Sequence, residues 1–350
     1  MRQVIHPHES RDLRPRALEL LQEKYGVGTA GVKLEVLGAE GVWLASLDLP
    51  TGSKSLVIKT VTPQLFSGGV EALYRLHCQL RSASKFLHET TVRFIDFDAD
   101  RSLLVLEHVP GPSLADLMTR VLAKQASESR VPPLLHLLAE FLVHLHSYEP
   151  GELGIQPRPV TNRSFYQDYQ ERLQESPIAR WLPRRQRAPG FLSSYISDES
   201  LESSHQRVSF VDLQPKNVLV RGPESIVVID INYHVVSPST SVAVLLINID
   251  LAGLRQLTRR AFRLAQDWKR TFLQSYMSVP AADDQNVLRD LRLFYPIAIL
   301  DLFEQHLLRR RRSKLYLAWF YGLMLRRVLG EIERGNGESA PDIGIRGPGG

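Results

Sequence analysis

The amino-acid sequence predicts an α+β fold in which a β-rich first part is followed by a mainly helical second part. Short apolar runs separated by Gly and Pro turns fill the first 110 residues, whereas apolar residues at helical spacing dominate the rest. With 350 residues, 43% of them apolar, the chain can bury a core in one large domain or in two lobes. We expect these parts to be residues 1–110 and 111–333, followed by a disordered Gly- and Pro-rich tail at residues 334–350.

In the first part, the pattern predicts a leading helix, five strands and a second helix between the third and fourth strands. Leu73, Leu76 and Leu80 give the second helix an apolar stripe. In chain order, the predicted elements are a helix at 14–24, strands at 32–37, 42–49 and 56–59, a helix at 69–80, and strands at 91–97 and 102–106.

The second part is predicted to begin with a helix capped by Ser113, with Asp116 three residues later forming a capping box. Further helices are predicted at residues 132–147, 259–277, 287–312 and 313–327, and Pro296 is expected to kink or break the third of these four. Residues 150–205 between them are more polar and irregular.

The most informative stretch runs from Ser209 to Asp230. Asp212 is followed five positions later by Asn217, and two short apolar runs joined by a Gly-Pro turn then lead to Asp230. These runs predict a β-hairpin with Asn217 at its entry and Asp230 at its exit, so that both side chains could point into one cleft. Carboxylate and amide oxygens suit Mg²⁺, which prefers oxygen ligands and usually shares them with substrate phosphates. The alternative is an ordinary hairpin with surface acids.

At these residues the chain resembles the kinase superfamily, whose catalytic loop has the form D-x-x-x-x-N and whose metal-binding aspartate follows the next hairpin. The resemblance implies that Asp212 accepts the proton of the attacking hydroxyl. It also implies that Asn217 holds one Mg²⁺ and that Asp230 bridges metal to nucleotide phosphates.

Leu56-Val57-Ile58-Lys59 resembles the V-A-I-K strand of that superfamily, whose lysine binds the α- and β-phosphates of ATP. A helix glutamate holds this lysine in place in the family, and we expect Glu71 to do so here, with Glu89 as the less well placed substitute. The alternative is a lysine exposed at a strand end and a glutamate on a helix surface.

Two further segments complete the expected nucleotide site. Gly38 and Gly41 flank a turn of the form G-x-x-G, which would let backbone N–H groups approach phosphates, although a plain hairpin turn is the alternative. Glu107 to Val109 would be the hinge between the lobes, recognising adenine through main-chain N–H and C=O groups.

Three features point within the superfamily to the aminoglycoside phosphotransferase and choline kinase branch. Lys59 and Asp212 are farther apart than in eukaryotic-type protein kinases, L-H-S closes the helix at 132–147, and Asp250 begins a D-L-A triplet. In that branch this aspartate supports the catalytic loop; the alternative for Asp250 is an acid at a helix N-terminus.

The resemblance implies a bilobal protein kinase-like fold with an antiparallel sheet and one helix in the N-lobe. The C-lobe would be mainly helical, with a helical insertion at about 150–205 that forms part of the acceptor site. It further implies an enzyme that uses ATP and Mg²⁺ to phosphorylate a hydroxyl group of a small molecule.

The sequence departs from the family pattern at two places. Phe210 stands where the family usually has histidine, and we expect the aromatic ring to pack in its place. Asp230-Ile231-Asn232 replaces D-F-G, with Asn232 as the residue that tolerates a left-handed backbone.

A protein serine/threonine kinase and an inactive nucleotide- or partner-binding module remain alternatives. Gln214 argues against the first, since Ser/Thr kinases place a lysine there.

Composition constrains the partners and the compartment. The net charge of +5 permits an anionic ligand or an acidic membrane surface, and no nucleic acid is expected. Arg180, Arg184, Arg185 and Arg187 favour a sugar, a phosphorylated metabolite or a glycolipid over a polycationic aminoglycoside. The basic run Arg309–Arg312 predicts a solvated helix face, or contact with an anionic substrate or lipid.

A single cysteine, Cys78, and the lack of a signal or membrane-spanning run indicate a soluble cytoplasmic protein.

Overall fold

The structure is a computed structural model that describes residues 14–26, 28, 31–37, 41–50, 52–61, 69–155, 161–203, 205–231, 233–280, 284–309 and 314–334. The chain divides into two compact units, Met1–Pro110 and Gly111–Gly350. Gly38, Asn232, Arg310–Arg312 and the tail from residue 335 onward were assigned roles above and lie outside the described residues.

The first unit contains a five-stranded antiparallel sheet with the strand order β1-β2-β3-β5-β4. Its elements are α1 (Arg14–Tyr25), β1 (Val32–Val36), β2 (Val42–Leu49), β3 (Gly52–Thr60), α2 (Gly69–Ala83), α3 (Lys85–Thr90), β4 (Phe94–Asp98) and β5 (Leu103–Glu107). The antiparallel sheet predicted for this region is confirmed. The short helix α3, which begins at the N-cap Ser84, was not predicted.

One face of this sheet is covered by α1. Strand β2 alternates buried and partly exposed residues, which is the period of a half-buried strand. Its buried Trp43, Ala45 and Leu47 join Leu20 and Leu21 of α1 in one apolar cluster. Burial of this face holds β3, and with it Lys59, in a fixed register against the strands on either side.

The second unit is mainly helical and contains two short two-stranded sheets, β6 with β9 and β7 with β8. Its elements are α4 (Leu114–Leu122), α5 (Val131–His146), α6 (Asn162–Glu175), α7 (Asp198–Glu202), β6 (Arg207–Phe210), β7 (Val218–Gly222), β8 (Ser225–Val228), β9 (Tyr233–Val236), α8 (Pro238–Arg255), α9 (Arg259–Ser278), α10 (Asp284–Arg309) and α11 (Lys314–Arg334). The α+β class is confirmed.

The beginning of α4 follows the sequence prediction. The Ser113 side chain accepts a hydrogen bond from the backbone N–H of Asp116, and the Asp116 carboxylate accepts one from the backbone N–H of Ser113. This capping box satisfies two backbone donors that the start of a helix otherwise leaves without partners.

Pro296 does not break its helix, so the break, one of the two expected outcomes, was wrong, and the kink stays a prediction. Helix α10 runs without interruption from Asp284 to Arg309 with Pro296 inside it. The residues beside the proline, including Tyr295, Ile297 and Ile299, are buried. Their packing offsets the roughly 3 kcal/mol that an internal proline costs a helix.

Within the residues that the structure describes, no helix is both long enough and apolar enough to cross a lipid bilayer.

Candidate active site

The candidate catalytic loop of the second unit follows strand β6. Phe210, the last residue of β6, is fully buried and pairs with Tyr233 of β9. The aromatic ring therefore packs into the core at the position where the family has histidine, as the sequence predicted. This packing fixes the point at which the loop leaves the sheet, two residues before Asp212.

The loop from Asp212 to Asn217 is closed by hydrogen bonds to its own backbone. The backbone carbonyl of Asp212 accepts from the backbone N–H of Gln214, 2.8 Å away, and from Asn217 Nδ2, 2.9 Å away. The backbone N–H of Asn217 in turn donates to the carbonyl of Gln214 at 2.8 Å. Asp212 and Asn217 are thus held beside each other by the fold of the loop itself.

Gln214 also touches the carboxylate of Asp212, a contact that sequence reasoning missed. Its side-chain Nε2 donates to Asp212 Oδ1. A side-chain donor two residues after the candidate base was the available signal, because it lies within reach whenever the intervening turn is tight.

The predicted hairpin brings Asp230 back toward Asn217. Strands β7 and β8 pair in antiparallel register with Val218 opposite Val228. The backbone N–H of Ile229 donates to the carbonyl of Asn217 at 2.8 Å, so Asp230 follows the residue that is bonded to Asn217. The structure therefore brings Asp212, Asn217 and the backbone of Asp230 to one end of the hairpin.

A left-handed backbone occurs at Asp230, two residues before the position at which it was expected. Asp230 itself has a φ of 57°, whereas Asn232, the residue expected to adopt this conformation, lies outside the described residues. A non-glycine residue in this region is uncommon, and aspartate is among those that tolerate it. The conformation turns the chain sharply as it leaves the hairpin.

The hairpin is supported by the segment that precedes α4. The backbone N–H of Val220 donates to the carbonyl of Pro112 at 2.9 Å, and Ser113 pairs with Leu219. Gly111 has a φ of 143°, and a Cβ atom there would lie 2.8 Å from the carbonyl oxygen of Val220. Only glycine allows this approach without strain.

The side chains at the end of the hairpin fit an oxygen-liganded cation. Asn217 is buried, and because its Nδ2 is used on Asp212, its Oδ1 remains as the acceptor. Asp230 supplies a half-buried carboxylate. Across the described residues no group of three or more His, Cys, Asp or Glu side chains converges. Two oxygen ligands suit Mg²⁺, which usually takes few protein ligands and completes its shell with phosphates and water.

Lys59 and Glu71, the expected phosphate-binding pair, belong to the first unit. Lys59 is half-buried on β3, opposite Val42 of β2 and Leu104 of β5. Glu71 lies in the first turn of α2 and forms an ion pair with Arg75, with 2.5 Å between Oε1 and the guanidinium. The pairing of Glu71 with Lys59 stays a prediction.

The remaining expected nucleotide contacts are also in the first unit. Gly41 has a φ of 83°, and its carbonyl accepts from the backbone N–H and hydroxyl of Thr60. A Cβ atom at Gly41 would lie 2.3 Å from Thr60 Oγ1, so glycine is required here. Glu107 ends β5 with its carboxylate accepting from the backbone N–H of Arg93, and Val109 is buried. Their roles toward phosphate and adenine stay predictions.

Asp250 occupies neither of the two positions expected for it, beside the catalytic loop or at a helix N-terminus. The residue lies in the fourth turn of α8, far from the helix N-terminus, and it is buried. Its carboxylate accepts from Gln266 Nε2 and Lys269 Nζ, both at 2.8 Å, and from the Tyr295 hydroxyl at 2.6 Å. All three donors come from α9 and α10. Asp250 therefore neither caps a helix nor supports the catalytic loop, and both expectations were wrong.

Comparison with known proteins gives a result for structure and none for sequence. No protein-family model and no curated protein sequence matches the chain.

Solved structures do match along most of the chain. Ethanolamine kinase from Plasmodium vivax has a TM-score of 0.55 at 14% identity, covering 92% of this chain and 89% of its own. A protein from Ralstonia eutropha, provisionally described as an aminoglycoside phosphotransferase, has a TM-score of 0.58 at 13% identity, covering 90% and 95%. A glucosamine kinase has a TM-score of 0.59 at 12% identity, covering 91% and 84%.

At these identities the likeness is one of fold. It agrees with the family named from the motifs at Lys59, Asp212, Asn217 and Asp230, and it extends over both units. The chain has the fold of the aminoglycoside phosphotransferase- and choline kinase-like family of the protein kinase-like superfamily.

Proposed function

We propose that this protein transfers the γ-phosphoryl group of ATP to a hydroxyl group of a small molecule, with Mg²⁺ as cofactor. The observation that carries the proposal is the hydrogen-bonded loop that holds Asp212 beside Asn217 and leads, through one hairpin, to Asp230. It occurs in a chain whose fold is that of small-molecule phosphotransferases.

In this proposal Asp212 is the general base. Its carboxylate is half-buried, and Gln214 holds one of its oxygens, Oδ1. This carboxylate would accept the proton of the acceptor hydroxyl as that hydroxyl attacks the phosphorus atom. Phosphoryl transfer needs little covalent help, so the orientation of the attacking hydroxyl is the main contribution of this residue.

Asn217 Oδ1 and the Asp230 carboxylate would hold the cation. When bound, Mg²⁺ neutralises charge on the phosphate oxygens as the bond to the leaving group breaks. The protein's part is to keep these two oxygens in place. The hydrogen bond from Asn217 Nδ2 to the Asp212 carbonyl orients the side chain of Asn217. The left-handed backbone at Asp230 would set the direction of the Asp230 side chain.

In the first unit we assign Lys59 to the α- and β-phosphates and Glu71 to the orientation of Lys59. Gly41 would contribute close backbone approach to phosphate, and the main chain at Glu107 and Val109 would contribute recognition of adenine. The backbone turns tightly at Gly41, where a side chain would collide with Thr60, and this supports the role of Gly41 in the close approach to phosphate.

A sugar or a sugar-containing lipid is the acceptor that we favour. A fold-similar glucosamine kinase has been captured with glucosamine, ADP and inorganic phosphate, and another fold-similar protein is an ethanolamine kinase. Within residues 150–205, Arg180, Arg184 and Arg187 are surface arginines, and Arg185 pairs with Glu333 of α11. An aminoglycoside, which carries several positive charges, fits such a surface less well than a sugar with one positive charge or none.

The experiment is an acceptor panel. Purified protein is incubated with Mg-ATP and a hexose, glucosamine, ethanolamine, an aminoglycoside, a sugar-containing lipid or a generic protein substrate, and ADP release is measured. Asp212→Ala is the test variant. Glu224→Gln, which changes an exposed acid in the turn between β7 and β8, is the matched control.

We expect acceptor-dependent ADP release from the wild-type protein and from Glu224→Gln, lost in Asp212→Ala while ATP binding is retained. ADP release only with the protein substrate would move the acceptor class to protein hydroxyls. Equal background release from all three proteins despite ATP binding would contradict the proposal and favour a nucleotide-binding module without catalysis.

A further inference from the structure

The second unit contains a cavity of about 180 Å³ that belongs to none of the residues assigned above to phosphoryl transfer. It lies among α8, α9, α10 and α11. Asp250 lies twelve residues after Pro238, the first residue of α8, which corresponds to about 18 Å of helix. None of the residues that line the cavity belongs to the catalytic loop or to the hairpin that leads to Asp230.

The wall of this cavity is apolar and partly open to solvent. It is formed by Leu254, Trp319, Phe320, Leu323, Met324 and Val328. Leu257 at the edge is 84% exposed, and Trp319 and Leu323 are each 40% exposed. Exposed large apolar side chains around an apolar hollow are typical of a ligand site rather than of a packing defect sealed in the core.

The floor of the cavity is polar and buried. Lys269 is 2% exposed, and its ammonium donates to Asp250 Oδ2 at 2.8 Å and lies 5.8 Å from the centre of the Tyr295 ring. An ammonium has three N–H donors. Among the described residues Asp250 is its one hydrogen-bond acceptor, so two N–H donors lie at the cavity floor without a protein oxygen.

Charge at the site is balanced without a ligand. Asp250 and Lys269 neutralise each other at the floor, and Arg327 and Glu331 form an ion pair at 2.8 Å in the lining of the same cavity. A charged ligand head would therefore enter a low-dielectric site with no opposite charge left to compensate it. A neutral oxygen acceptor can take a hydrogen bond from Lys269 without this cost.

We propose that this cavity binds an uncharged, largely apolar small molecule that presents one carbonyl or ether oxygen to the ammonium of Lys269. Its size suits a ligand built around a single ring, since a cavity of about 150 Å³ lined by apolar side chains holds benzene. The apolar body lies against Trp319, Phe320 and Met324, and the oxygen reaches the floor.

The test uses two probes of similar shape, acetophenone, which has a carbonyl, and ethylbenzene, which lacks one. Each is titrated into the full-length protein, and the indole N–H resonance of Trp319 is followed by NMR, with Trp319→Phe to assign it. The comparison is the ratio of the two dissociation constants in the wild-type protein and in the double variant Lys269→Met/Asp250→Asn, which keeps the floor uncharged. Ethylbenzene is the more hydrophobic probe, but this difference is the same for both proteins and cancels when their ratios are compared.

We expect both probes to shift the Trp319 resonance, and we expect the preference for acetophenone over ethylbenzene to fall at least about tenfold in the double variant, the lower limit for one hydrogen bond to a charged group. Leu323→Trp, which narrows the opening, should weaken both probes at least fivefold. Leu315→Trp, an exposed leucine of α11 outside the cavity, is the matched control and should leave both affinities unchanged.

Two results would overturn the proposal. One is the absence of any Trp319 shift with either probe up to its solubility limit. The other is an identical ratio of dissociation constants in the wild-type protein and the double variant, which would mean that Lys269 recognises no oxygen. Because Leu323 is exposed, its replacement tests the site even if the double variant fails to fold.

Discussion

The side-chain amide of Asn217 donates a hydrogen bond to the backbone carbonyl of Asp212, with 2.9 Å between Nδ2 and the oxygen. One residue thus closes the candidate catalytic loop with its nitrogen, and in the proposed function its oxygen would bind Mg²⁺. Asn217→Ala should lower kcat by about 100-fold or more, because an oxygen ligand is lost. It should also lower the free energy of unfolding by about 1 kcal/mol, because the carbonyl of Asp212 loses one of its two donors and keeps the backbone N–H of Gln214.

The matched control for this variant is Asn248→Ala. Asn248 makes the same kind of bond, from Nδ2 to the carbonyl of Val244 at 2.8 Å, on helix α8. Steady-state kinetics at several Mg²⁺ concentrations and urea unfolding check both variants. A loss of kcat in Asn248→Ala equal to that in Asn217→Ala would show that the effect comes from general destabilisation.

Lys269 and Asp250 form a buried ion pair whose side chains are 3% and 10% exposed. Lys269→Met should lower the free energy of unfolding by about 3–5 kcal/mol, since it leaves a carboxylate buried without its cation. Adding Asp250→Asn should restore part of that loss, because the remaining side chain is neutral and still accepts from Tyr295. Urea unfolding of the two single variants and the double variant measures this coupling, and strictly additive costs would contradict it.

His146 gives the folded protein a pH dependence. Burial, with a smaller contribution from the Arg207 charge, lowers the pKa of His146 from 6.5 to about 3. The unfolded chain binds a proton below pH 6.5 and the folded chain does not. As far as His146 is concerned, the free energy of unfolding therefore has its full value above pH 6.5 and decreases as the pH drops from 6.5 toward 3.

For this one histidine the loss at pH 5 should be about 1–2 kcal/mol. His146→Gln should remove this part of the pH slope, measured by urea unfolding between pH 7 and pH 5, whatever its effect on stability at pH 7. His88→Gln, at an exposed position of α3, is the control. An unchanged slope in His146→Gln would mean that His146 is protonated in the folded state.

Gly111→Ala tests the support of the hairpin. A φ of 143° and a carbonyl 2.8 Å from the new Cβ make any side chain strained here, so we expect a loss of about 1–3 kcal/mol in the free energy of unfolding. Gly151→Ala is the matched control, because no atom lies within 4 Å of its Cβ position. Equal unfolding midpoints for the two variants in urea would exclude the close approach between Gly111 and Val220.

Local signals in the sequence predicted the secondary structure around the candidate site well. The capping box at Ser113, the hairpin after Asn217 and the burial of Phe210 each depend on residues close in sequence, where turn chemistry and strand period apply directly. The Gln214 contact was equally local, but it depends on the tightness of one turn, which composition does not determine.

What the sequence could not predict depends on packing between distant helices. The triplet at Asp250 matched a family motif, yet α8 begins at Pro238, so the aspartate falls in its fourth turn against Lys269 and Tyr295. The pair Ser237 and Pro238 was the sequence signal for the start of α8, since proline is favoured at the first position of a helix. Pro296 survives inside α10 because its neighbours are buried, which a sequence pattern does not show.

The central claim is that Asp212 acts as the base in phosphoryl transfer from ATP. The most direct measurement is transfer of ³²P from γ-labelled ATP to an acceptor identified by the panel, compared between wild type, Asp212→Asn and Glu224→Gln under saturating Mg-ATP. Our account predicts that Asp212→Asn retains ATP binding and loses transfer by at least about 100-fold, with Glu224→Gln unchanged. Transfer by Asp212→Asn at the wild-type rate would contradict it.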